Sequence, residues 1–202
     1  MSRRLPSTAH TSRSWRIHGL TRDFQLVDVW ALATPGGAGD FPRLLRLFAS
    51  FDPAHAASPI VRALFAIRWK LGELLGWDRR PAGLGSRVAT LRERLPRELR
   101  ETRLPPELDP SPFESLYVTD DEWAAEIANE TVHGVVHIGW VPDGKGGYRG
   151  QMAILVRPNG LLGAAYMLAI RPFRHLLVYP AMIGQIEREW RNGAGDPRPA
   201  AA

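Results

Sequence analysis

The chain has 202 residues, 45% hydrophobic and 23% charged, with a formal net charge of +5 and no cysteine. That suits one globular domain of ordinary size and excludes disulfides, thiolate metal sites and cysteine nucleophiles. All but Lys70 and Lys145 of the 26 basic residues are arginine; they are spread along the chain and interleaved with acids, as in Arg92-Glu93-Arg94, the pattern of a solvated surface and not of a nucleic-acid interface.

Residues 1–14 are polar and read as a flexible N-terminal tail, and 192–202 as a flexible C-terminal one, leaving a single domain over 15–191. No apolar run follows the charged start, so no secretory signal is expected, and the lack of cysteine suits a reducing, cytoplasmic compartment. Residues 15–20 read as an edge strand. Residues 24–32 (FQLVDVWAL) form a better one, in which the two-residue period places Phe24, Leu26, Trp30 and Leu32 on one face with Asp28 among them. After the turn at 34–40, Asp40 is a candidate N-cap for a helix over 41–51. Ser58-Pro59 opens a second helix, with Ile60, Leu64, Ile67, Leu71, Leu74 and Leu75 as its apolar stripe and Gly76 as its stop.

Residues 78–112 are rich in proline and charge. They predict a long excursion with a short helix around 91–100 broken at Pro96. Leu84, Val88, Leu91 and Leu95 would form its underside, and Arg92, Glu93, Arg94 and Arg97 would face water, making it a lid over a cavity or a solvated linker. Residues 113–119 return to strand. Residues 120–128 read as a short helix with a strand as the competing assignment. Residues 131–141 and 148–157 are strands joined by the turn PDGKGG, and Pro158-Asn159-Gly160 opens a long apolar helix to Trp190, bent near Pro172 or Pro180. Part of it, 161–183, is about long enough to span a bilayer. Its central arginines cost roughly 2.5–3.5 kcal/mol each on insertion, so a buried helix is expected and no integral membrane segment. The fold class is α+β.

His133 and His137 have the H-x-x-x-H spacing of helical metal ligands, but on a strand their Cα atoms stand roughly 13 Å apart. Gly134 also occupies the place of the glutamate in the zinc-protease motif, so no metal is expected. Val132, Val136, Ile138 and Trp140, with Tyr148, Met152, Ile154 and Val156 on the next strand, make the apolar set that should face the long helix. His133 and His137 then point outward as polar surface residues beside Arg149 and Gln151. Gly36, Gly37 and Gly39 do not fit a phosphate loop, and no G-x-S-x-G elbow occurs. Asp28 is the one candidate catalytic group: a carboxylate among apolar neighbours must be paired or have a raised pKa. Its alternatives are exposure, with Val27 and Val29 inward, or a structural pair with an arginine. Trp30, Trp140, Tyr148, Met152 and Tyr166 are the candidate ligand-lining residues.

The blocks at 15–37, 63–78, 122–167 and 170–190, including WRIHGLTRDFQLVDVWALATPGG and EWAAEIANETVHGVVHIGWVPDGKGGYRGQMAILVRPNGLLGAAYM, resemble a bacterial domain-of-unknown-function family over nearly the whole chain. The resemblance implies a helix-grip fold similar to the START and polyketide-cyclase (SRPBCC) superfamily: an antiparallel sheet with two helices after the first strand and a long C-terminal helix. It brings no catalytic residues and no cofactor. Related domains are sometimes fused to a nucleotide-binding dehydrogenase-like domain. The expected function is binding of a small, largely apolar ligand between helix and sheet. The alternatives are a cofactor-independent cyclase, dehydratase or isomerase using Asp28, and a partner module for a separate oxidoreductase.

Overall fold

The computed structural model describes residues 2–50, 70, 88–101, 104, 113–128, 132–170 and 174–193. The second helix expected over 58–76 lies outside them. The strands are β1 (Arg3–Arg4), two exposed arginines, and β2 (Gln25–Ala31), β3 (Glu114–Val118), β4 (Glu122–Ala128), β5 (Val132–Pro142) and β6 (Tyr148–Pro158), each of which carries β-branched or aromatic residues. Among the described residues they form one antiparallel sheet in the order β1-β2-β6-β5-β4-β3. The β5–β6 hairpin is in unbroken register from Val132↔Pro158 to Pro142↔Tyr148. Gly144 and Gly146 take positive φ in its turn, and Asp143 Oδ1 accepts from the backbone N–H of Lys145 and Gly147.

The helices are α1 (Thr8–Thr11), α2 (Ile17–Leu20), α3 (Phe41–Ala49), α4 (Arg97–Glu101), α5 (Gly160–Ala169) and α6 (Tyr179–Arg191), with a π-helical turn at Arg174–Val178 leading into α6. Each face of the sheet has its own core. On the first, Trp123, Val136, Ile138, Trp140 and Met152 pack against α3 (Phe41, Leu44, Leu45) and α6 (Tyr179, Ile183, Ile186, Trp190). On the second, Tyr117, Ala124, Val135 and Leu155 lie under Trp15, Ile17 and Leu20 and under Leu91 and Leu95. The sheet is therefore buried on both sides, and β5 is buried along almost its whole length.

Several expectations change in this light. Residues 120–128 are strand: alternation sends Trp123 and Ala125 to the first core and Glu122, Ala124 and Glu126 to the second face, an arrangement with no helical counterpart. Residues 15–20 contain the helical turn α2 in place of an edge strand. The residues expected to be a polar tail carry β1, paired with β2, and α1, whose His10 is fully buried. His133 and His137 are on the face opposite the C-terminal helix, as expected, yet they are buried and not on the surface, because the N-terminal segment and residues 88–101 cover that face. Pro96 separates a 3-10 turn (Leu91–Arg94) from α4, and this part of the excursion lies across the sheet from α6. No described helix is long and apolar enough to cross a membrane.

Candidate functional site

Asp28 owes its position to a bulge. Pairing of β2 with β6 jumps from Leu26↔Leu155 to Asp28↔Ile154, so Val27 is the extra residue. An extra residue reverses the alternation: Phe24 and Leu26 join the second core, Trp30 and Leu32 the first. The four apolar residues of β2 do not share a face, but Asp28 stays with Trp30 and Leu32 and is 2% exposed. Arg4 on β1 places Nε 3.2 Å from Asp28 Oδ1, and His175 in the π turn places Nε2 3.3 Å from Oδ2. Such turns are frequent at functional sites. His175 stacks edge-on to Tyr179, and Tyr179 to Trp30, with centroids 6.1 Å apart in each pair. Burial, opposed by Arg174 and aided by the Asp28 charge, pushes the Tyr179 phenol up to about 12, so it stays neutral. Trp30 Nε1 and Arg174 Nε are buried with no hydrogen-bond partner. Each unmet donor costs about 1–3 kcal/mol. Beside this cluster a cleft of about 480 Å³ opens between Arg4, Leu5, Pro6 and Ser7 and the bulged stretch Leu26, Val27, Asp28 and Val29.

The other ligand-lining candidates lie elsewhere. Trp140 packs against Phe41, Tyr148 and Trp190, donates from its indole N–H to the Gly37 carbonyl at 3.0 Å, and is 3% exposed. Met152 is fully buried in the same core, and Tyr148 stacks on Trp140 at 6.4 Å. The side chain of Tyr166 on α5 is outside the described residues. Among the described candidates, only Trp30 stands beside Asp28.

The second face carries a polar network with no forerunner among the candidate residues. Glu122 and Glu126 on β4 and His137 and His133 on β5 are each four residues apart, so diagonal cross-strand neighbours form two parallel Glu–His pairs. His137 Nε2 is 3.0 Å from Glu122 Oε2, and His133 Nε2 is 2.7 Å from Glu126 Oε2. Glu126 also accepts from the Thr90 hydroxyl and the Leu91 N–H. Glu122 accepts from the Arg16 N–H at 3.1 Å and the Tyr117 hydroxyl at 3.1 Å. From His137 the chain of imidazoles continues outward: His137 Nδ1 to His10 Nε2 at 3.2 Å, then His10 Nδ1 to His18 Nε2 at 3.1 Å, with His18 half-buried. Burial raises the Glu122 carboxyl, but the hydrogen bond and charge of His137, the Arg16 N–H and the Tyr117 hydroxyl outweigh it and leave it lowered. Burial, then the Glu122 charge, hold the Tyr117 phenol far above its usual range. Burial, then repulsion from His137 and His18, lower His10 to about 3. The signal for this network was the matched spacing of E-x-x-x-E and H-x-x-x-H on neighbouring strands. Each link joins the histidines in series, and among the described residues no cluster of His, Cys, Asp or Glu could hold a metal ion.

This mixed helix-and-sheet chain with a C-terminal helix belongs to the family described as "Protein of unknown function (DUF2867)", which matches residues 20–181. No curated protein and no solved structure matches it.

Proposed function

We propose that this protein binds a small amphipathic molecule at the Asp28 end of the layer between sheet and C-terminal helix. The observation that carries this is the pair of buried donors without acceptors, Trp30 Nε1 and Arg174 Nε, in a cluster that reaches the 480 Å³ cleft through Asp28. Folded proteins rarely leave such donors unmet; a ligand carbonyl or hydroxyl oxygen would satisfy them, while Leu5, Pro6, Leu26 and Val29 would cover its apolar body. The volume is within the usual range for small-molecule sites. Kinship with the helix-grip superfamily and a cytoplasmic location are part of the same reading, supported by the order of strand, helix, antiparallel strands and C-terminal helix and by the cysteine-free composition.

A native mass spectrum of gently purified protein, followed by denaturing extraction, should reveal a retained small molecule. Trp30→Phe removes one donor without introducing charge and should weaken its binding roughly tenfold, the worth of about one hydrogen bond. An empty spectrum together with no cleft-directed binding in a compound screen counts against the reading.

The alternative is a cofactor-independent cyclase, dehydratase or isomerase. Asp28 and His175, 3.3 Å apart beside neutral Tyr179, are groups able to move a proton at a bound substrate. Under this reading Asp28→Asn abolishes turnover while binding stays within about tenfold, and equal losses of both refer Asp28 to binding alone. A role as partner of a separate oxidoreductase draws support from exposed leucines in and after α5, Leu161 at 91% and Leu176 at 73%.

A further inference from the structure

We propose that residues 6–20 form a proton-released cap whose opening takes away the Pro6–Ser7 wall of the cleft beside Asp28, with the imidazole chain His18–His10–His137 as its latch. The cap holds the sheet through few polar anchors. His10 touches His137, the Arg16 N–H reaches Glu122, and Gln151 donates to the Ala9 carbonyl at 3.3 Å. Trp15, Ile17 and Leu20 supply the apolar contact, Trp15 lying against His137 at 5.1 Å and over Gly139, where an added Cβ would come within 2.7 Å of its ring. The cap runs directly into the cleft wall: Pro6 and Ser7 line the cleft three or four residues before His10, and Leu5 N–H bonds Val29 O at 2.8 Å.

One set of tautomers fits every link. With N–H on Nε2 of all three rings, His18 donates to His10, His10 to His137, and His137 to Glu122. With Glu122 held ionised, a proton taken up by His10 leaves hydrogen on both of its nitrogens, and the His18 Nε2–H then loses its acceptor. Of the neighbouring charges, that of Glu122 favours a protonated His18 and so opposes release. Arg16 stands 3.7 Å from Glu122, Arg13 lies over Trp15, and Arg149 on β6 is held below its usual range by burial, then by Arg3 and Arg13. The acids and phenol that face the latch are Glu122 and Tyr117.

The sign follows from the histidines. His10 and His18 are lowered in the closed state, whereas in an open cap they titrate near 6.5. The open form therefore takes up protons first, and closure is fully favoured above about pH 6.5 and weakens as pH falls toward the lowered value. Glu122, also lowered, withdraws its own contribution only below about 4.5, so the histidines act alone between those limits.

The gating role rests on the cleft as binding site; the latch does not. Amide hydrogen exchange of the full chain without ligand separates the two. Protection factors of the Leu5, His10 and Thr21 amides should fall about tenfold or more per pH unit from 6.5 to 4.5, while Val135 and Ile138 on β5 hold theirs. His10→Phe should cut that slope to the share left by His18, and His10→Phe with His18→Phe should remove it. Gly139→Ala should lower cap protection at all pH values by displacing Trp15 while keeping the slope. If His10→Phe does not fold, the nitrogen chemical shifts of wild-type histidines decide: His10 should remain neutral in the closed state at pH 5. Flat protection from 6.5 to 4.5, a Leu5 amide that stays protected while His10 opens, or His10 charged at pH 5 under a closed cap overturns the proposal. Failure to find any ligand for the cleft leaves these amide slopes untouched and sinks the binding reading alone.

Discussion

Glu122→Ala should lower the unfolding free energy by about 3–5 kcal/mol, because it leaves three donors without their shared acceptor at about 1–3 kcal/mol for each buried one. The carboxylate is the common acceptor for the Arg16 N–H, the Tyr117 hydroxyl and His137 Nε2. Its removal strands all three in a region where Tyr117 and His137 are fully buried. Glu122→Gln is the informative companion. Its oxygen can still accept from Arg16, and its amide can donate to His137 once the three imidazoles invert to Nδ1–H tautomers, so less than half the alanine loss is expected. Urea titrations with unchanged slope would measure both. An alanine loss below about 1 kcal/mol would mean that the carboxylate is hydrated and that the network holds nothing in place.

How far such features can be read from sequence depends on whether one element suffices to define them. The β5–β6 hairpin and the helical character of the described C-terminal residues are local: alternation, PDGKGG and Pro158-Asn159-Gly160 mark them without reference to anything distant. Asp28 is inward, but the single face of Phe24, Leu26, Trp30 and Leu32 that was expected to carry it is split between the two cores. The bulge at Val27 was not legible, because whether a strand inserts a residue depends on its partner, here Leu155 and Ile154 on β6. His133 and His137 show the same limit. Their face was read correctly and their environment was not. Whether the second face is wet depends on Trp15, Ile17, Leu91 and Leu95 arriving from far along the chain. Residues 120–128 misled through composition: acids ahead of alanines resemble the first turn of a helix, but Glu122 among them is turned inward to His137 on β5 while Asp120 and Asp121 stay exposed in the turn before β4.

Trp140→Ala should cost about 3–5 kcal/mol of stability, the range for deleting a large buried aromatic, and should leave ligand affinity of the folded fraction nearly unchanged. Pattern alone put Trp140 among the cavity-lining residues, where truncation enlarges a space already present, costs little, and alters binding. Its surroundings argue otherwise. The ring is closed in by Phe41 from α3, Trp190 from α6 and Tyr148 from β6, with centroids 6.0–6.4 Å away, and the Gly37 carbonyl accepts its N–H. These contacts tie both helices of the first face to β5, so alanine would open a void that no single neighbour can fill. Trp140→Phe keeps most of the volume and should cost less than half as much. Thermal and urea unfolding of both variants, with Trp30→Phe alongside, separates the two roles: Trp140 substitutions should move stability and Trp30 substitution should move binding. A Trp140→Ala protein as stable as the parent would place open space against that ring and return the binding site to the centre of the sheet–helix layer.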